Sequence, residues 1–254
     1  MKIGLISGHE MPNLVENPEK ITVETPYGSV LVLVARRGGH EIFFINRHGE
    51  HANLPPHAIA YRANIHAFAS SHVDCIFSMG TVGSLTTSIQ PGDIVLPHDF
   101  IDMTKSRPVS FFDDARVHVD MTTPFCPSLR DLMANLCKKQ RGLRVHEQGV
   151  YLTTEGPRLE TKAEINLFAP HADVVGMTLV PEVVLAREKS ICYASLCLVC
   201  NMAAGLQRAL SAEDIVTIVT QRQPLVTSLL SSCIDHIDQK KQCSCQQDLT
   251  KAKL

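Results

Sequence analysis

Short apolar runs of strand length alternate with segments whose apolar residues recur at helical spacing, and this alternation predicts an α/β chain. Lys2 to Ile6 reads as a first strand, closed by a turn at Ser7-Gly8-His9-Glu10. Three β-rich runs follow, Ile21 to Thr25, Val30 to Ala35 and Glu41 to Asn46. Pro26-Tyr27-Gly28 and Gly38-Gly39 separate them, the pattern of a hairpin meander. Arg47-His48-Gly49 ends the last run, where α/β sheets present ligand-binding groups. After Pro55-Pro56, Ile59, Ala63 and Ala67 give Ala58 to Ser70 the spacing of a helix.

Val73 to Met79 is predicted as a buried strand that ends in Gly80-Thr81-Val82-Gly83-Ser84-Leu85, and Pro91-Gly92-Asp93 turns the chain into a strand from Ile94 to Pro97. Phe100 to Phe125 reads as loop, carrying Lys105, Arg107 and His118, and a helix is expected from about Pro127 to Gln140. Strands follow at Val150 to Thr154, Val174 to Met177 and Ile191 to Cys200, with helices at Lys162 to Phe168 and Glu182 to Lys189, the latter begun by Pro181. Ser211-Ala212-Glu213-Asp214 has the form of an N-cap with acidic first-turn residues, opening a last helix to about His236. Neither a repeat nor a linker interrupts this order. The expectation is one domain over residues 1–238, a central mixed and partly barrel-like sheet flanked by helices, followed by a polar, frayed tail over 239–254.

Composition narrows the class. A chain of 254 residues can bury a full core without disulfides. It is 44% hydrophobic but only 5% aromatic and has no Trp, so Val, Ile, Leu and Ala must fill that core. A formal charge of -2 provides no basic field for a polyanion, which points to a small-molecule substrate and away from nucleic acid. The first strand lacks the apolar length of a signal peptide and no run approaches a membrane span, so a cytoplasmic protein without membrane contact is expected.

The densest group of polar chemistry is Thr153-Thr154-Glu155-Gly156-Pro157-Arg158-Leu159-Glu160-Thr161, followed by Gly176-Met177-Thr178-Leu179-Val180-Pro181-Glu182 and by Asn201 after a hydrophobic strand. In this order and spacing the chain closely resembles the trimeric nucleoside phosphorylases, the superfamily of the 6-oxopurine nucleoside and methylthioadenosine phosphorylases. The resemblance extends over most of the chain. It implies phosphorolysis of a purine nucleoside to free base and ribose 1-phosphate, with inorganic phosphate as co-substrate, no cofactor, no metal, and a homotrimer or dimer of trimers. The chemistry needs no metal, because the leaving base can be hydrogen-bonded or protonated and phosphate itself meets the developing ribosyl cation.

The resemblance assigns Arg47, His48 and Thr178 to phosphate, and a guanidinium fork suits two phosphate oxygens. His9 of the altered first turn is a further phosphate donor. Met177 corresponds to the residue under the ribose, and Thr81 and Leu159 complete the substrate contacts. His118 corresponds to a His that reaches from a neighbouring subunit toward the 5′ end of the substrate, which would put the sites at subunit interfaces. Outside the resemblance, Arg47 and His118 read as ordinary surface residues and Met177 as core.

Base choice rests on Asn201 and Glu160. Adenine-specific relatives carry Asp at the first position and a small residue at the second. An Asn amide donates toward a 6-oxo group and accepts from N7–H, whereas an ionised Asp only accepts. Glu160 can accept from the N1–H that hypoxanthine and guanine possess and adenine lacks. Read without the family, Glu160 is a helix-start carboxylate and Asn201 a turn residue. Ala212, Ile215 and Val216 are aliphatic where ordinary purine nucleoside phosphorylases offer a His to the 5′-hydroxyl. That pattern is similar to methylthioinosine phosphorylase, and equally to the core face of an amphipathic helix.

Four departures concentrate near phosphate and ribose. Ser7-Gly8-His9-Glu10 replaces Gly-Gly-Thr/Ser-Gly, Ala52 replaces the second His of Arg-His-Gly-x-x-His with His51 one residue early, Ala60-Tyr61 replaces Asn-Tyr, and Gly80-Thr81 replaces Thr-Ala or Asn-Ala. Two further readings therefore stand beside phosphorolysis of inosine and guanosine: a methylthioinosine or methylthioadenosine phosphorylase, and a nucleoside-binding protein with a degraded phosphate site.

The nine cysteines are scattered mainly through apolar segments, where free thiols behave as small hydrophobes. Cys243-Ser244-Cys245 differs, standing in the polar tail. It resembles the C-x-C pair of some thermophilic archaeal members, where intracellular disulfides occur. Metal binding is disfavoured at this level, since no second Cys or His pair stands at ligand spacing.

Overall fold

The computed structural model describes residues 1–9, 11, 14, 17–207, 212–238 and 243–252. Strands β1 (Lys2–Ser7), β4 (His40–Asn46), β5 (Cys75–Ser84) and β11 (Cys192–Met202) run parallel and form the buried centre of a single mixed sheet. Their residues are nearly all buried, as a sheet covered on both faces requires. β2 (Glu19–Thr25) and β3 (Gly28–Arg37) extend one side as the expected antiparallel meander.

β5 is the branch point. It pairs with β1 and β11 in parallel and, at its end, with β10 (Val174–Gly176) antiparallel. From β10 the sheet continues through β9 (Val150–Thr154) to β7 (Asp99–Met103), while β11 leads to β6 (Ile94–Val95) and β8 (Val145–His146). Splitting at one long strand gives the partly closed, barrel-like sheet that the sequence implied. Helices α1 (Tyr61–Ser70), α2 (Pro127–Cys137), α3 (Lys162–Phe168), α4 (Leu179–Glu188) and α5 (Ala212–His236) flank it. Among the described residues two large apolar cores result, with a smaller cluster around Leu152, Ile165 and Val175. One joins α2 and α5 to β11, and the other joins α1 and α4 to the opposite face.

Three expectations are corrected. The glycine-rich stretch after Met79 continues β5 instead of leaving it. Its glycines admit close neighbours: a Cβ at Gly83 would stand 2.8 Å from the Asn201 amide nitrogen. β7 lies in the segment read as loop, because an edge strand with only partial burial carries no strong apolar run. The tail is ordered where it is described: Cys245 and Ala252 are buried, and α6 (Asp248–Ala252) packs against α4.

Candidate active site

The carboxyl ends of β1, β4, β5 and β11 meet at one cavity of about 850 Å³. This is where open α/β sheets bind ligands, because strand ends leave backbone groups and short loops facing a crevice. Its lining includes His9, Arg47, His48, Thr81, Leu159, Glu160, Met177, Thr178, Asn201 and Ile215. The sequence-derived set thus converges on one cavity, with two exceptions. His118 is exposed and does not line the cavity of its own chain. The side chain of Ala212, like Glu10 and Ser211, lies outside the described residues. Val216, 62% exposed, does not belong to the cavity either.

Arg47 differs from its expected role. Its fork is closed onto Glu182, with Nε 2.7 Å from Oε1 and Nη2 3.1 Å from Oε2. Nη2 also donates to Ser78 Oγ at 2.9 Å, and Nη1 to the Met79 carbonyl at 2.7 Å. A guanidinium has five N–H groups, so one on Nη1 is left for a ligand. Arg47 is 2% exposed and Glu182 fully buried. Burial alone would pull the guanidinium down, but Glu182 outweighs it and the net shift is upward. Tyr193 donates to the same carboxylate at 2.8 Å. Arg47 therefore brings a fixed, single-edged positive charge to the cavity instead of a bidentate clamp.

His48 and His9 line the same cavity. His48 Nδ1 stands 2.6 Å from the Leu54 carbonyl, so that nitrogen carries a proton and Nε2 is the free position. Burial pushes the His9 imidazole below its ordinary 6.5, and Arg47 and His48 push it further; burial likewise lowers His48, only partly opposed by the Leu54 bond. Both rings are consequently neutral at pH 7 in the empty protein. The unfolded chain binds more protons below about pH 6.5, so the two rings make stability fall as pH drops through that value. A bound anion reverses the preference by favouring imidazolium. Sulfate, which does not titrate in this range, is expected to raise Tm more at pH 6 than at pH 8, and His48→Asn to remove most of the difference. An equal rise at both pH values would show that these histidines do not meet the anion.

Two further polar groups of the cavity, Asn201 and Glu160, are anchored. Asn201 is 8% exposed and belongs to β11 itself, just past a register shift after Val199 that turns the strand. Its Nδ2 donates to the Met202 carbonyl at 3.0 Å. That bond fixes which way the amide faces and leaves Oδ1 and one N–H for a ligand. Glu160 Oε1 accepts from Thr154 Oγ1 at 2.6 Å, leaving Oε2 available.

The Glu-Gly-Pro-Arg motif itself turns away from the cavity. Glu155 accepts from the backbone N–H groups of Lys105 and Ser106 and from Arg107 Nε at 2.9 Å. Burial would raise its carboxyl, yet these donors hold it below the ordinary range. Arg158 pairs with Glu164 on the surface at 2.7 Å. Arg107, read from sequence only as a loop residue, is buried and ties the two motifs together. It donates to the carbonyls of Glu155, Met177 and Val180 and to the Tyr61 hydroxyl. Glu182 and Arg107 are the residues that sequence reasoning missed; their burial inside an otherwise apolar chain is visible only in three dimensions.

The cavity at the parallel strand ends thus gathers buried cationic, amide, carboxylate and imidazole side chains, the equipment of an α/β enzyme acting on a small polar molecule. The chain belongs to the phosphorylase superfamily, whose family model matches residues 2–235. It is 45% identical over 257 residues to the probable S-methyl-5′-thioinosine phosphorylase of Methanopyrus kandleri, covering 100% of this chain and 99% of that one. It is 44% identical over 255 residues to the probable 6-oxopurine nucleoside phosphorylase of Dictyoglomus turgidum, covering 98% and 97%. The S-methyl-5′-thioadenosine phosphorylase of Pyrococcus abyssi is 40% identical over 247 residues, with 96% of each chain covered. Among solved structures, a methylthioadenosine phosphorylase from an antarctic soil metagenomic library superposes with a TM-score of 0.93 at 32% identity, covering 99% of this chain and 92% of that one. The activity is accordingly that of a nucleoside phosphorylase, a pentosyltransferase. No described helix is long and apolar enough to cross a membrane.

Proposed function

We propose that the enzyme cleaves 6-oxopurine nucleosides, inosine and guanosine, with inorganic phosphate, in the manner of purine salvage. The observation that supports this most is the Asn201 amide, anchored on Met202 with Oδ1 and one N–H remaining, beside the remaining oxygen of Glu160. The amide N–H donates to O6, Oδ1 accepts from N7–H of the departing base, and Glu160 accepts from N1–H. A phosphate oxygen forms the bond to C1′ as the bond from C1′ to N9 breaks, and the electron pair leaves with the base. The proton that phosphate gives up on forming the ester reaches N7 through solvent and neutralises that charge, and the hydrogen bond to Asn201 Oδ1 stabilises the protonated base. Arg47, His9, His48 and Thr178 hold phosphate, and Met177, Thr81 and Leu159 contact the sugar and base. No metal or cofactor takes part in this reading.

Ile215 at the cavity rim supports a second reading, S-methyl-5′-thioinosine as substrate. An aliphatic side chain gains by covering a methylthio group and offers a hydroxyl no partner. In either case His118, exposed and remote from its own cavity, serves a neighbouring subunit of a trimer.

The test is Glu160→Ala assayed on inosine and on adenosine. Losing the acceptor for N1–H should lower kcat/KM for inosine about tenfold and leave adenosine unchanged. Equal losses on both substrates would assign Glu160 to positioning Thr154 instead.

A further inference from the structure

We propose that Cys126, Cys192, Cys243 and Cys245 form a structural zinc site that clamps the C-terminal segment to the core. The absence of a second close cysteine pair in the sequence does not exclude a metal, because the fold supplies the other two ligands from separate elements. Cys126 stands immediately before α2, and Cys192 opens β11. The tail brings Cys243 and Cys245 to both. All four sulfurs lie within 4.8 Å of one another, and those of Cys192 and Cys243 are 3.5 Å apart. Tetrahedral zinc with Zn–S near ~2.3 Å places its sulfurs roughly 3.8 Å apart, inside the span the four already cover, so small shifts about one shared centre complete the site.

The surroundings fit a closed structural site. Cys126, Cys192 and Cys245 are buried, and only Cys243 is partly open to solvent, giving an entry side. Four cysteines leave no position for water or substrate, which separates structural from catalytic zinc. Zinc binding releases the four thiol protons to solvent. The resulting doubly negative centre is favoured by the position of Cys126 at the N-terminus of α2. Two disulfides would consume the same thiols, but they need an oxidant and no common centre.

The clamp has a structural consequence. Beyond Cys245 the chain forms α6, whose Ala252 carbonyl accepts the His118 backbone N–H at 2.9 Å. Fixing the tail therefore fixes the exposed loop that carries His118.

The test is the zinc content of the full chain, expressed with zinc, purified under reductant without chelator and desalted. About one zinc per chain is expected, and reconstitution with cobalt should give the thiolate charge-transfer and tetrahedral visible bands. Cys243→Ser with Cys245→Ser should lose the metal and the cobalt bands and lower Tm by roughly 5 °C or more, while Cys200→Ser, outside the cluster, keeps a full zinc complement. Should the double variant fold poorly, stripping zinc from the native chain with a mercurial and restoring it gives the same Tm comparison. Three results would overturn the proposal: zinc well below one per chain without cobalt bands, zinc retained by the double variant, or mass-mapped disulfides among the four cysteines of reductant-purified protein.

Discussion

Replacing Asn201 with aspartate should lower kcat/KM for inosine about 100-fold and raise it for adenosine, reversing the preference between the two. The amide sits between two demands. On one side Nδ2 donates to the Met202 carbonyl, and on the other its remaining groups face the cavity. A carboxylate has no hydrogen to give, so it loses the O6 partner and also meets the Met202 carbonyl oxygen at close range. Both effects act at a residue only 8% exposed, where an unpaired polar group costs about 1–3 kcal/mol. The 6-amino group of adenine instead donates to the new carboxylate. Initial rates on both nucleosides at saturating phosphate check this. An unchanged preference would remove Asn201 from base recognition.

Glu182→Ala is expected to destabilise the protein by about 3–5 kcal/mol, measured by urea unfolding, because it strands a buried guanidinium. Arg47 has few alternatives. Its other bonds run to Ser78, Met79 and Ile6, and none of these carries a charge. Glu182→Gln, which retains one acceptor oxygen, should recover part of the loss. Phosphate affinity should change as well, since the fork that Glu182 holds is what aims the last Nη1 hydrogen at the cavity. A change within about 1 kcal/mol for the alanine variant would mean that water reaches Arg47 and that the pair is not an isolated buried one.

These two residues also show what could be read from the chain. Asn201 was legible as a candidate because its chemistry and its distance from the other motifs match a known pattern, and it lines the same cavity as Glu160 and Met177. Arg47 was legible as a site residue but not in its role, for its partner Glu182 is 135 positions away and reads in sequence as a helix-start carboxylate. The same holds for Arg107, whose acceptors are mostly backbone carbonyls that leave no trace in residue type. Periodicity placed the central strands well, since full burial makes them continuous apolar runs. It failed at β7, a partly exposed edge, and at the end of β5, where Gly80 and Gly83 read as a turn although they serve close packing against Leu179 and Asn201. The tail was misread for a related reason. Its polar composition hides the few residues, Cys245 and Ala252, that anchor it.

The most direct measurement is base release from inosine and from adenosine, each with and without phosphate. The account predicts hypoxanthine release that requires phosphate and exceeds adenine release by about 100-fold or more in kcat/KM. Preference for adenosine, or hypoxanthine release that is equally fast without phosphate, would contradict it.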